Sequence, residues 1–594
     1  MKIPGDKTAL TVISLIFLFF LSFSLFINLP GIQRNWLFSD EAIYYIMTQS
    51  IAYDGDITYT KKDLYRFCED FSAPQGIFLK KNEKGEIFYA KSFAYPLFAA
   101  PFVRIFNYHG FFVFHSILLL FILLMGYSFL SIKNTSGISL IYTLTFLFAS
   151  IAIIYFIWIT AEFFNFFLAF SVIFLFAYKI KLENKNKDGS FIKKFLNSDY
   201  SDYVASFLAG IATFSKPPNI VLIAPIFLYS FIKKRWLKSF IILLIFIITS
   251  LSFFGINYLL TSDWNYMGGE RKTFYFRFPY EREGYTFESI GHKMTSENYF
   301  KSHPISLKIV VYNFFYYFFG RYSGIAWYFF PAFLALIIFI INKKELYQWL
   351  ILGTIFIEIL IYIVLMPDNY IGGGGTLGNR YFLNIYPMFF FLSKIIKTKK
   401  EVIINWIVAS IFISQILVTP FKSSSYPATH GKGIPFSLLP IEKSLINTLP
   451  TNTNPSAFKI RFGTPPNDYL IYFLNDNYHK KQGNGFWTFG DKTCEFFLRT
   501  YYPLKELTIK LTNNGRLKNK AIVKVDGKKK VVKLSGKEKK EIKFKTGSGF
   551  KFGNSYIYHL KIKSNKGAIP YLEDKKSTDR RFLGVYVEIE IKYH

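Results

Sequence analysis

Apolar residues run in long unbroken blocks through the first two thirds of the chain and in short alternating blocks near its end. Runs such as ALTVISLIFLFFLSFSLFINL (Ala9–Leu29) and SFIILLIFIITSLSFFGINYLL (Ser239–Leu260) match the roughly 20 apolar residues a helix needs to cross a bilayer. Counting such runs predicts about eleven crossings, at 9–29, 110–131, 138–157, 162–178, 203–215, 217–231, 238–260, 324–341, 347–366, 380–395 and 402–420. The pair 203–231 is short in each half, with TFSKPPN between, and reads equally as one re-entrant hairpin. After Pro420 the period changes to that of strands, as in KAIVKVDGKKKVVKL (Lys520–Leu534), where Asp526-Gly527 suits a hairpin turn, then KEIKFKT, YIYHLKIK and FLGVYVEIEIKYH. The predicted fold is an all-α polytopic membrane domain over 1–420, a Pro/Ser/Thr-rich connector over 421–460 and an all-β, sandwich-like domain over 461–594.

Three stretches between the apolar runs are long enough or unusual enough to build a site: Pro30–His109, Thr261–Pro304 and the glycine-rich Pro367–Asn379. In the first, FSDEAIYYIM (Phe38–Met47) places Asp40 and Glu41 just after the first span. Ser39 is placed to cap a helix whose first turn favours both acids, and Ile43, Ile46, Met47 and Ile51 predict one apolar face lying along the bilayer. The same residues also fit a capped surface helix with its acids in water.

Composition adds charge and excludes one partner. The formal net charge is +32, but the lysines are clustered: Lys179, Lys181, Lys185, Lys187, Lys193 and Lys194 in one inter-span loop, Lys233, Lys234, Arg235 and Lys238 in another. That is the distribution of cytoplasmic loops beside membrane lipids, not of a nucleic-acid binder. An odd number of crossings then puts the N-terminus inside, the basic loops inside and the C-terminal domain outside. Cys68 and Cys494 are the only cysteines; both fall outside in this topology, either bridged or as two separate thiols.

Further charges stand at the ends of apolar runs. Lys91 lies in YAKSFAYPLFAAP (Tyr89–Pro101), where it can hold a carboxylate or reach a phosphate. Glu162 begins a returning helix in WITAEFFNFF, at a depth where an unpaired carboxylate is costly. Arg380 follows GGGGTLGN and leads into a span, and Arg321 sits in YYFFGRYSGIAWYFFP at similar depth. Lys91, Arg321 and Arg380 each alone also fit an ordinary interfacial anchor, and Glu162 a first-turn glutamate serving only the helix dipole.

In order and sidedness these pieces resemble the glycosyltransferase C superfamily, in particular the branch of protein O-mannosyltransferases and the lipid A aminoarabinose transferase. The likeness covers roughly residues 1–420. The chain departs from that pattern at AKSFAYPL, where the family has Lys-Pro before its aromatic, and in lacking a proline after Glu162. The resemblance implies a membrane domain of that superfamily's type with outer juxtamembrane helices. It also implies transfer of a sugar from a polyprenyl-phosphate donor to a lipid, glycan or protein acceptor on the outer face of a bacterial inner membrane. In that reading Asp40 is the general base and Glu41 its helper. Lys91, Glu162, Arg321 and Arg380 surround the donor phosphate, with Tyr44 and Tyr381 in the substrate-binding set. No cofactor is named, and a divalent metal stays open. The alternatives are an oligosaccharide transferase or ligase acting on a preassembled glycan, and a non-enzymatic flippase. No WWDYG-like element or internal repeat is present to favour either.

Overall fold

A computed structural model describes residues 6–182, 191–267, 270–276, 278–279, 284–293, 306–393, 395–396, 399–453, 459–463, 468–515, 518–574 and 576–594. Lys185 and Lys187 of the first basic loop, and parts of the second long stretch and of the connector, lie outside them. The chain forms two compact units. The first comprises Met1–Ser296, Ile325–Tyr362 and Asn379–Phe421; the second comprises Glu297–Gly324, Ile363–Gly378 and Lys422–His594.

The N-terminal part is helical, and among the described residues six helices are long and apolar enough to span a membrane: Lys7–Phe26, His109–Ser131, Ala161–Leu182, Trp236–Thr261, Leu346–Leu365 and Lys399–Leu417. The pair Ser136–Phe148 and Ile151–Ile157, bent by 65°, makes a seventh if taken as one span. This is a multi-pass membrane protein by the length and apolarity of those helices; the remaining predicted crossings are present as shorter or interrupted apolar helices that do not reach spanning length in one piece. The interruptions fall at identifiable residues. Helix Tyr200–Ser215 stops at Lys216, whose backbone is extended before Pro217 and Pro218, and a 3₁₀ turn and the nine-residue helix Ala224–Ile232 follow. The predicted 324–341 is split into Ile325–Tyr328 and Phe330–Ile341 ahead of Pro331. The predicted 380–395 is only a 3₁₀ turn and the five-residue helix Tyr386–Phe390.

Between the spans the first unit carries a small antiparallel sheet that the apolar pattern did not predict. Strands β1 (Gln75–Lys81), β2 (Ile87–Tyr89), β3 (Lys272–Tyr275) and β4 (His292–Lys293) assemble in the order β2-β1-β3-β4, so the first two long stretches meet edge to edge. Tyr59 Oη donates to the Phe278 carbonyl at 2.6 Å and helps hold them together. The sheet fixes the helix that follows the first span, because Phe38 bridges to Gln75 immediately before helix Ser39–Tyr53. That helix differs from expectation in two ways. Every residue from Ala42 to Ser50 is buried, so it is a core helix packed against Ala94–Phe106 and not one lying half-exposed. Ser39 does not cap it; Phe38 holds the cap position without a side-chain bond, and Ser39 itself has φ 50°.

The C-terminal part is all-β with antiparallel strands. They are β5 (Lys459–Phe462), β6 (Tyr469–Phe473), β7 (Gly485–Phe489), β8 (Thr493–Thr500), β9 (Leu504–Asn513), β10 (Asn519–Val525), β11 (Lys528–Leu534), β12 (Lys539–Lys545), β13 (Phe550–Phe552), β14 (Ser555–Ser564) and β15 (Leu583–Tyr593). One sheet runs β11-β10-β14-β8-β6-β5 with β13 added on β14; the other runs β12-β9-β15-β7. Alternate residues from both sheets, among them Phe496, Ile509, Val523, Leu560 and Val587, form the shared core. Asp526 and Gly527 both have positive φ in the two-residue β10–β11 hairpin, as its sequence predicts. Cys494 is buried in this core and Cys68 is exposed in the first unit, and no disulfide joins them.

Candidate active site

Four segments that are far apart in sequence converge in the first unit. Asp40 and Glu41 come from the first turn of Ser39–Tyr53, and Lys91 from the four-residue link between β2 and helix Ala94–Phe106. Glu162 comes from the first turn of Ala161–Leu182, and Arg380 from the turn ahead of Phe382–Asn384. Each sits where a regular element begins or ends, so its side chain can leave the packed helices without interrupting one.

Their geometry is a chain of alternating charge. Lys91 Nζ lies 2.7 Å from Asp40 Oδ1, and Arg380 Nη1 lies 2.7 Å from Asp40 Oδ2. Arg380 Nε continues to Glu162 Oε1 at 3.4 Å, and Lys216 Nζ stands 3.8 Å from the same oxygen. All these side chains are 16% exposed or less, so their attraction is only weakly screened. Glu41 is tied to the same place by a different bond, its Oε1 accepting from the Ile159 N–H at 3.2 Å, three residues before Glu162.

The two neighbouring acids titrate differently. Burial alone raises the carboxyl of Asp40, but Lys91 and Arg380 outweigh it and hold Asp40 well below the usual carboxylate range. Burial pushes Glu41 up to about 7, with Asp40 and Glu162 adding to the rise and only the Ile159 N–H opposing it. The cluster thus contains a fixed anion beside a group that exchanges its proton near neutrality.

The sequence-predicted residues divide as follows. Asp40, Glu41, Lys91, Glu162 and Arg380 are brought together. Tyr381 joins them, its ring 4.3 Å from Lys216 Nζ and stacked on Tyr362 at 4.7 Å. Tyr44 is buried one turn from Asp40 and packs edge-on against Tyr95 at 5.7 Å. Arg321 belongs to the second unit. There its guanidinium grips Glu495 through two nitrogens at 2.9 and 3.2 Å and donates to the carbonyls of Ser437 and Leu439. Those bonds commit it to holding that unit together.

Sequence reasoning missed three charges. Lys216 was hidden in TFSKPPN, which reads as a helix breaker although a lysine at such a break projects from a freed backbone. Arg271, one residue before β3, acts electrostatically on Asp40. Glu358 is fully buried inside Leu346–Leu365, neither of its oxygens is hydrogen-bonded, and Lys216 is the cation acting on it. Its signal was an acid within an otherwise apolar 20-residue run. The chain matches no protein-family model, no curated protein and no solved structure.

Proposed function

We propose that the protein is a membrane glycosyltransferase. In this reading it moves a sugar from a polyprenyl-phosphate-linked donor to an acceptor hydroxyl, with inversion and with Asp40 as general base. The observation that carries the reading is the Asp40 carboxylate held between Lys91 and Arg380 at 2.7 Å each. Two cations converging on one oxyanion in a buried setting form a ready phosphate clamp. A donor phosphate that takes over these cations strips Asp40 of the charges that depress its basicity. Asp40 is then released as a base only when the donor is in place. The acceptor oxygen bonds to the anomeric carbon, the carbon–oxygen bond to phosphate breaks, the acceptor proton passes to Asp40 and polyprenyl phosphate departs. One carboxylate suffices because the phosphate is already a good leaving group, whereas glycoside hydrolases use two. The acceptor is a lipid, glycan or protein. Clustering of lysines in particular inter-span loops supports those loops being cytoplasmic; in this reading the membrane is a bacterial inner membrane and the site lies on its periplasmic side.

The test is incubation of the purified protein in detergent with a synthetic polyprenyl-phosphate sugar and candidate acceptors. The expected result is a covalent product of inverted anomeric configuration. Donor carried across a liposome bilayer with no product formed would replace the transferase by a flippase.

Glu41 supplies a pH dependence. Below about pH 7 it is largely protonated, so Lys91, Lys216 and Arg380 face two carboxylates, Asp40 and Glu162. Above that pH Glu41 ionises, the net positive charge around the site falls by one, and a phosphate is held less well. The donor KM is expected to rise by roughly tenfold through neutrality, about the effect of one charge ~10 Å away at an effective dielectric near 20. Glu41→Gln should flatten that rise. A wild-type donor KM constant from about pH 6 to 8 would remove Glu41 from this role.

A further inference from the structure

The two outward faces of the C-terminal β-sandwich are charged in opposite styles, and the cross-strand register shows it. On the four-stranded sheet lysines face glutamates. Lys510 stands opposite Glu541 on one side and Glu588 on the other, and Glu506 stands between Lys545 and Lys592. Ion pairs form accordingly, Lys510 with Glu541 at 3.3 Å and with Glu590, and Lys539 with Glu588 at 2.7 Å.

On the seven-stranded sheet lysines face lysines. Lys524 of β10 stands opposite Lys529 of β11 on one side and Lys561 of β14 on the other. Lys520 stands opposite Lys533, and Lys563 stands opposite Ile522, which in turn faces Val531. Lys520, Lys524, Lys529 and Lys533 are exposed, and Lys561 and Lys563 are half-buried. Neighbouring strands lie about 4.8 Å apart, so Lys561, Lys524 and Lys529 form a row about 10 Å long. Like charges directly opposite one another oppose strand pairing. Among the described residues the one carboxylate opposite this group is Glu495, which faces Lys561 at 2.9 Å and is already shared with Arg321 and His559. A lysine-rich composition would load both faces alike; here one face is neutralised pair by pair and the other is not.

The rest of that face is occupied from within the same unit. Arg499 Nη1 and Tyr472 Oη both donate to Asn447 Oδ1, at 3.2 and 3.3 Å, which covers the β8–β6 side and leaves the β14-β10-β11 side open. We propose that this open lysine face binds a linear polymer carrying repeated phosphate groups. Charge complementarity selects a polyanion, and the row spacing suits successive charges along one chain. A bilayer surface fits less well, because the apolar residues between the lysines are only Ile522 and Val531, without the aromatic or leucine side chains that enter a headgroup layer. Binding here does not depend on transfer at Asp40.

The experiment uses the full chain in nanodiscs of neutral lipid, with fluorescent medium-chain inorganic polyphosphate as the probe. Saturable binding is expected, its affinity falling log-linearly with salt as counterions are released. Combined Lys524→Gln, Lys529→Gln and Lys533→Gln should weaken binding about 10- to 100-fold at ~0.1 M salt and reduce the salt slope by about two. The matched set Lys510→Gln, Lys539→Gln and Lys543→Gln on the other sheet should leave it unchanged. Equal loss in both sets would overturn the proposal, as would equal binding of neutral dextran. Capture of phosphatidylglycerol vesicles without polyphosphate binding would assign the face to a bilayer instead.

Discussion

Asp40→Asn is expected to abolish sugar transfer while leaving the donor bound at least as tightly as in the wild type. The amide keeps the size and buried position of the carboxylate but cannot take the acceptor proton, and loss of a general base lowers turnover by about 10²–10⁴-fold. Donor affinity should behave in the opposite sense. In the resting site Asp40 competes for Lys91 and Arg380, each at 2.7 Å, so a neutral side chain frees both cations for the incoming phosphate. A fall in kcat with an unchanged or lower donor KM therefore separates a base that shares its counter-charges with substrate from a residue that merely braces the fold. The check is a donor titration with variant protein that remains monodisperse in detergent. Wild-type turnover in such a sample would take Asp40 out of the mechanism.

How much of this site could be read in advance depended on where each charge sits in the pattern. Asp40, Lys91, Glu162 and Arg380 stand out because each interrupts or borders an apolar block, and charge at such depth has few inexpensive explanations. Lys216 borders such blocks too, but two prolines follow it, and the breaker masked the cation. Arg321 was indistinguishable from Arg380 by depth alone. Only tertiary structure shows its partner, Glu495, which is 174 residues away in the chain. The difference between eleven predicted runs and six full-length helices among the described residues has a related cause: apolarity measures what is buried, and lipid and protein bury it equally. Tyr386–Phe390 is as apolar as a span yet short and wholly buried, whereas Phe330–Ile341 exposes Ile337, Ile340 and Ile341 and is shortened by the break ahead of Pro331. In the β-sandwich the alternation of Ala521, Val523 and Val525 with Lys520, Ile522 and Lys524 set the register in sequence, because a one-residue slip would turn the core outward. Strands β1 to β4 carried no such signal, being short and assembled from stretches about 200 residues apart.

Arg380→Ala should cost more than any other single cation, because this guanidinium alone touches both carboxylates of the chain. It holds Asp40 at 2.7 Å and Glu162 at 3.4 Å, whereas Lys91 serves only Asp40 and Lys216 stands 3.8 Å from Glu162. A charge-assisted hydrogen bond contributes about 1.5–3 kcal/mol, so losing its share of the phosphate clamp should lower kcat/KM for donor by about 10- to 10²-fold. The same truncation leaves Glu162 nearly unpaired in a buried place, so the thermal unfolding midpoint should drop as well. Arg380→Lys distinguishes the two effects. A lysine keeps the charge and most of the fold's stability, but its donors all sit on one nitrogen and cannot reproduce the separated Nη1 and Nε positions that reach Asp40 and Glu162. Thermal stability near the wild type, together with a donor KM raised several-fold, is the expected outcome for Arg380→Lys. Unchanged donor KM and kcat in both variants would show that the phosphate is held elsewhere.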